Sequence, residues 1–531
     1  MAGLNSTLVA LVGGLAAVYI ALRVLLYVTH DPREPPMIET TIPYITPAVG
    51  MKRNNRYFTT LRERYGKLPI YTLRLPGSRL GRRLYVINDP KLIAAVQREH
   101  KICTFQAIED KFSQLICDLS PTAVAVQKEE SDKWLAGPAN ASSPAGTTFK
   151  ALAPGKFLDE MNRTMMNVLQ ESVENWIPEG ANEINIKLFE WIKEIITVPT
   201  TEGVYGPKNP YRDAAVRKSY WTYSAGVGTL TMGRLGQWLA PDCVKSRDFL
   251  ASVFEDFFKK GGHVTASGLT RQRYDWYISR GFPVRDYAQL EAGHGVAILG
   301  NTVPTTFWFV LHIFSDPEIL KACREEVLAY VVDSKDADGT PIRTLDVMAL
   351  KASCPLLLSV FKEAMRVHGK GVGIRGVMQD HLLDGKWLVK KDTTIFMPST
   401  VQHFDRERWG ADATEYHHDR FTDKARPRVN NISYRAFGGG TTLCPGRHFA
   451  TTEIMTFAAM LMLRFEMVPK GGEWEMPTTD KARLTSVMPA PDYDIDVQVK
   501  RRKGDEGVKW VWKLTESEKG IILGSEDTDR H

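Results

Sequence analysis

The chain opens on a long apolar run. From Met1 to Leu22 no side chain is charged, and after Arg23 the run resumes with Val24, Leu25, Leu26, Tyr27 and Val28. As a helix rising about 1.5 Å per residue, such a segment crosses the roughly 30 Å hydrocarbon core of a bilayer. A cleaved signal peptide would show a basic start, a shorter apolar stretch and a small-residue cleavage site, and none of these is clear. Pro32, Pro35, Pro36, Pro43 and Pro47 follow closely, which predicts a stiff extended linker rather than a helix.

Beyond the linker the periodicity changes. A short amphipathic segment covers Phe58 to Tyr65, and two β-rich runs, Pro69 to Leu75 and Arg82 to Ile87, flank the turn Pro76-Gly77-Ser78 as a hairpin. Asp89-Pro90 starts a helix reaching about His100, and residues 136–148 read as a Gly/Pro/Ser/Ala loop. Leu158 to Tyr330 is mostly helical, with interruptions near Gly203–Pro210 and Gly261–Gly268. The longest candidate helix, Asp286 to Phe314, is apolar enough in its second half to suggest another span. Gln289, Glu291 and His294 before that half, with Asn301 and Pro304 inside it, favour a buried central helix instead. Ser315-Asp316-Pro317-Glu318 restarts a helix, and short strands return at Lys386–Val389 and Thr393–Met397. The fold class is mostly α with small β-sheets.

Composition narrows the function classes. With 43% hydrophobic and 24% charged residues the bulk is globular, and 531 residues suit either three or four domains or one large fold. The balance of 68 basic and 62 acidic side chains, net +6, is too small and scattered for a nucleic-acid partner. Six separated cysteines without a CxxC argue against a disulfide framework. Basic residues flank the apolar run only on its C-terminal side (Arg23, Arg33, Lys52, Arg53, Arg56), which puts the body in the cytosol. Of the N-x-S/T sequons at Asn5, Asn140, Asn162 and Asn431, Asn5 alone is then a glycosylation candidate.

The chemistry concentrates in Phe437 to Gly446, FGGGTTLCPG, followed at once by the helical stretch Arg447 to Arg464. Three glycines let a backbone approach a flat ligand, and a cysteine at a helix start is favoured as thiolate, the form that binds metal. Upstream, Glu363 and Arg366 lie three apart on a helix that begins after Pro355, and HDRF supplies Arg420. In this order and spacing, from the anchor to the last strands near Val497, the chain resembles the cytochrome P450 family of haem-thiolate monooxygenases. The resemblance implies the P450 fold behind one transmembrane helix, with haem b as cofactor. Cys444 would be the proximal iron ligand, Phe437 and Gly438 would belong to the haem-binding loop, and Arg375 would meet a haem propionate. Glu363, Arg366 and Arg420 would form the buried cluster that locks the cysteine loop. Gly371 to Gly376 matches GxGxxG, but it follows a helix and opens none, so it is no dinucleotide site. Electrons would therefore come from a separate NADPH-dependent cytochrome P450 reductase.

Two departures narrow the resemblance. Thr442 stands where many members carry Arg or His, and Gly300 and Asn301 replace the usual acid and alcohol of the central helix. Asn301 and Thr302 are the catalytic candidates, since an amide orients water and oxygen without titrating. GNTVPTTFW, Gly300 to Trp308, is similar to the branch holding sterol 7-alpha- and 12-alpha-hydroxylases and prostacyclin synthase. The implied organisation is an anchor over 1–30, a Pro-rich linker over 31–50, a haem-thiolate catalytic domain over 51–505 and a polar tail over 506–531. The implied activity is hydroxylation or epoxidation of a lipophilic sterol- or terpenoid-like substrate, as in secondary-metabolite biosynthesis. The implied location is the endoplasmic reticulum membrane, single-pass, with the body cytosolic. A reductase-independent isomerase or dehydratase is the alternative within the branch, and a non-catalytic haem or sterol binder the alternative outside it.

Overall fold

The computed structural model describes residues 2–53, 56–66, 68–77, 82–137, 143–178, 181, 183–422, 431–505 and 507–515. The chain divides into two units, one made of residues 1–108, 370–413 and 483–486, the other of residues 109–369, 414–482 and 487–531.

The first unit carries the apolar N-terminal helix Ala2–Val28 and a five-stranded sheet. Within the helix, Thr7–Val28 has a mean hydropathy of 2.3 and none of its apolar window is buried in the protein. The predicted hairpin forms as Ile70–Leu75 against Arg82–Ile87, in the register Ile70 to Ile87. Arg82–Ile87 then runs parallel to Thr394–Pro398, which is antiparallel to Val372–Val377, and Cys103–Thr104 closes the far edge. Alternate residues of these strands feed two cores. Ile70, Tyr85, Ile87 and Ile395 pack with Ile93 and Val96 of the helix Pro90–Arg98, whereas Tyr71, Leu73, Leu84 and Val86 pack with Phe58 and Val401. A sheet buried on both faces explains why its strands read as nearly continuous apolar runs.

The Pro-rich segment differs from its expectation. Thr72 donates its amide to the Pro36 carbonyl at 2.9 Å, Met37 bridges to Thr72 in parallel, and Ile45–Arg53 is helical. Prolines favour extended backbone, and here that backbone adds itself to the sheet edge instead of spanning open solvent.

The second unit is mostly helical with two three-stranded sheets. Its centre is the apolar segment predicted as one helix, which is two: Val284–Leu299 and Thr302–Phe314. The break at Gly300–Asn301 places Pro304 in the first turn of the second helix, where its missing N–H costs nothing. Every residue of Thr302–Phe314 is buried, against the ExxR helix Pro355–His368, the cysteine helix Arg447–Arg464 and Leu188–Tyr205. This segment is a core element, as its polar interruptions indicated. Two further expectations are corrected. The first helix flanking the predicted loop at 136–148 reaches Ala136, and a second, Pro144–Leu152, starts on Ser143, whose hydroxyl accepts the Gly146 N–H at 3.0 Å. Within the polar tail, Lys509–Lys513 forms a strand parallel to Pro341–Asp346, with Trp510 buried. The sequon at Asn162 is buried. Ser78, Asn140, residues 516–531 and the side chains of Asn5 and Asn431 lie outside the described residues.

Candidate active site

The ExxR helix starts at Pro355, and the Glu326 carboxylate caps it by accepting the Leu356 and Leu357 amides at 2.8 and 2.9 Å. About two helical turns on, Glu363 and Arg366 meet in a two-pronged pair, each contact 2.7 Å. Arg420 donates Nε to the same carboxylate at 2.9 Å, and the His417 amide adds a third donor at 3.0 Å. Both arginines also reach the Glu415 carbonyl, at 2.8 and 3.4 Å. Glu363 and Arg366 are wholly buried and Arg420 nearly so. Charges so far from water persist only when each is held by several partners, which is the arrangement here. The three residues that the sequence grouped are thus brought together.

This cluster ties the segment before the cysteine loop to the helix. The Phe421 amide donates to Ser359 Oγ at 2.9 Å, the Tyr434 hydroxyl to the Lys362 carbonyl at 3.2 Å, and the Phe421 and Tyr434 rings meet edge to face at 5.0 Å. From Tyr434 the chain enters the glycine loop. Gly438 and Gly440 take φ of 80° and 65°, which only glycine adopts without strain, and the loop closes where the Cys444 amide donates to the Phe437 carbonyl at 2.8 Å. Phe437, Gly438 and Cys444 are accordingly one local structure.

Cys444 differs from the other five cysteines, which are all buried, in being only half-buried. Burial pushes its thiol up, while the Gly446 and Arg447 amides and the Arg447 guanidinium act in the opposite sense. No such opposition by backbone N–H groups acts on Cys117 or Cys354, whose thiols burial raises to about 12. The sulfur is the soft donor that a thiolate-binding metal requires, and two helix-start amides and a cation work against burial to favour its anionic form, so the residues present fit a haem iron. Sequence reasoning missed Arg447, which also donates to the Cys444 carbonyl at 3.1 Å. Its place directly after CPG, on the first residue of the helix, was the available signal.

On the central helices, Thr302 donates its hydroxyl to the Ile298 carbonyl at 2.9 Å and is buried. Asn301 is exposed, and its side-chain oxygen accepts the Met488 amide at 3.3 Å. The two candidates are adjacent but unequal, since only Asn301 presents its amide to an accessible face. Gly300 is required by the backbone, because a Cβ there would lie 2.5 Å from the Val296 carbonyl oxygen. Thr442 turns inward on its own loop, toward the Gly439 carbonyl at 3.1 Å. Arg375 belongs to the sheet unit, where it is buried, donates to the Ile374 carbonyl at 2.8 Å and lies 6.0 Å from the Phe105 ring centre.

Residues 297–497 match the family model described as Cytochrome P450. The chain is 30% identical over 518 residues to cytochrome P450 monooxygenase nodJ of Hypoxylon pulicicidum, covering 95% of this chain and 98% of that protein. It is 35% identical over 217 residues to cytochrome P450 monooxygenase calL of Penicillium decumbens, covering 38% and 40%. It is 30% identical over 215 residues to cholesterol 7-alpha-monooxygenase of Cricetulus griseus, covering 38% and 42%.

Proposed function

This chain belongs to the cytochrome P450 family, and from that premise we propose that it is a membrane-anchored monooxygenase hydroxylating or epoxidising a lipophilic sterol- or terpenoid-like molecule. As a member it is an oxidoreductase whose cofactor is a haem ligated by cysteine thiolate. When bound, the haem supplies dioxygen activation and oxygen insertion, and the chain supplies position. Cys444 is the ligand in this reading, Phe437 and Gly438 shape the loop that holds its sulfur, and Arg375 takes a propionate. Glu363, Arg366 and Arg420 fix the segment that delivers the loop. Asn301 orients water or substrate oxygen at the accessible face of the central helix. NADPH-dependent cytochrome P450 reductase delivers the electrons, and Thr7–Val28 anchors the protein in the endoplasmic reticulum membrane with its body in the cytosol.

The observation that carries this reading is the conjunction, within one unit, of the doubly paired Glu363 carboxylate and the amide-flanked Cys444 sulfur. Replacing Cys444 by Ala tests it. The variant loses the thiolate-type band of the reduced carbon monoxide complex and all turnover, and retention of both overturns the assignment. The buried Thr302 hydroxyl and the obligatory glycine at 300 favour one second reading, a reductase-independent isomerase or dehydratase. Product formed from an oxygenated lipid without NADPH and reductase would establish it. Likeness to monooxygenases over nearly the whole chain sets aside a non-catalytic binder.

A further inference from the structure

Where the anchor helix ends, two arginines converge on one residue. Arg83 donates to the Thr29 carbonyl at 2.6 Å, and Arg74 donates to the Thr29 hydroxyl. Arg74 and Arg83 stand directly opposite each other on the hairpin strands, a like-charge pair that repels unless an anion intervenes. Arg83 has one. Its Nε meets Glu34 at 2.9 Å, and that carboxylate also accepts the Tyr85 hydroxyl at 2.8 Å and the Asp31 amide at 3.2 Å. Asp31 is occupied in turn by Arg33 and Lys390, at 2.9 and 3.3 Å. Neither carboxylate hydrogen-bonds Arg74, although Glu34 is near enough to act on its charge.

Arg74 is nevertheless only 3% exposed, and its Nε and Nη1 have no hydrogen-bond partner among the described residues. Two neighbours close enough to interact with its charge share that condition: His30, through Nδ1, and Tyr44, through its hydroxyl. Tyr44 holds a left-handed φ of 65°, uncommon for a non-glycine residue, at the place where it comes near the guanidinium. A buried guanidinium with two unpaired N–H positions is costly, and the unpaired polar atoms around it are donors or can become donors. The chemistry that satisfies all of them is an anion with several acceptor oxygens. Thr29 is the first residue beyond the apolar span Thr7–Val28, which puts the cluster at the depth of lipid phosphates in a bilayer.

We propose that His30, Tyr44 and Arg74 form a binding site for the headgroup phosphate of an anionic membrane lipid. The inference rests on reading Thr7–Val28 as a membrane span. Lipid phosphate occupies the site when the Tyr44 loop moves aside, completes the coordination of Arg74, and fixes the hairpin against the end of the anchor.

The test titrates the full-length, haem-loaded protein in neutral detergent with dihexanoyl phosphatidic acid, inorganic phosphate and dihexanoyl glycerol, read by calorimetry. Wild type binds the phosphatidic acid saturably, inorganic phosphate at least about tenfold more weakly, and the uncharged glyceride not at all. Arg74→Gln weakens phosphatidic acid binding about tenfold, and Tyr44→Phe, which removes one hydroxyl from a side chain otherwise packed as before, about threefold. Unaltered binding in variants with normal haem content overturns the site. Equal affinity for inorganic phosphate overturns the lipid as its ligand. Flotation of wild type and Arg74→Gln with phosphatidylcholine vesicles tests the anchor separately, because it needs the span and not the arginine.

Discussion

The imidazoles of His312 and His368 face each other edge on, Nε2 to Nε2, at 2.8 Å. One nitrogen must donate and the other accept, so the neutral pair holds opposite tautomers. Each ring is also stacked, His312 on Tyr416 with centroids 3.7 Å apart and His368 on Trp308 at 3.8 Å. The pair joins the buried second half of the central segment to the ExxR helix two residues beyond Arg366, so it braces the element that carries the charged cluster.

Burial holds His312 well below an ordinary imidazole, down to about 3. Its neutral form is therefore built into the fold, and its contribution is present above pH 6.5 and lost as pH falls from there toward 3. The expected result is a guanidinium chloride midpoint that drops through this window in wild type and drops less steeply in His312→Gln. At neutral pH the substitution itself costs about 1–3 kcal/mol, because the buried Nε2-to-Nε2 hydrogen bond between His312 and His368 is lost.

Glu453, on the cysteine helix, behaves with the opposite sign. Burial pushes its carboxyl up to about 8, while it accepts the Thr200 hydroxyl at 2.6 Å. The protonated acid fits the fold, so its contribution is present below pH 4.5 and fades as pH rises through about 8. Glu453→Gln keeps the acceptor and removes the titration. Its thermal midpoint is expected to match wild type in mild acid and to exceed it at pH 8 and above.

Breaking the buried cluster should be severe. Glu363→Ala leaves two guanidiniums without their carboxylate and is expected to cost about 3–5 kcal/mol, with loss of haem incorporation on expression. Arg366→Lys keeps the charge but gives up the two-pronged geometry, so it should fall between wild type and Glu363→Ala in haem content.

Restoring an acid at position 300 should fail. The Cβ of Gly300→Asp would press on the Val296 carbonyl oxygen, and the strain is expected to cost about 1–3 kcal/mol. Gly300→Ala should be destabilised to a similar degree in a denaturant titration, which would assign the loss to space rather than to charge.

Much of the site was legible because its constraints are local. The i,i+3 spacing of Glu363 and Arg366, and the glycines that permit the turn before Cys444, stand in the sequence as they act in the fold. Arg447 was overlooked because its effect runs through space onto the sulfur, which no periodicity reports. The fold failed to read through where composition and capping conflict. Residues 136–148 look like a loop by composition, yet Ser143-Pro144 is a helix start, and capping decided the second part of the segment. The prolines of 31–50 correctly exclude a helix near Pro35 and Pro36 but say nothing of the sheet edge that receives them. The break at Gly300–Asn301 was blurred because the apolar pattern continues across it in phase.

Between His294 and Thr302, two turns of the central segment carry Gly295, Val296, Ala297, Ile298, Leu299, Gly300 and Asn301, none of which changes charge with pH. The Thr302 hydroxyl that follows is committed to its own helix. In the monooxygenase proposed above, none of these side chains brings a proton to this stretch, which leaves the task to water, to the substrate or to groups on other elements. In that reading, a bound molecule that wets or dries this face sets how readily protons arrive, and the shape of the substrate becomes part of the proton supply.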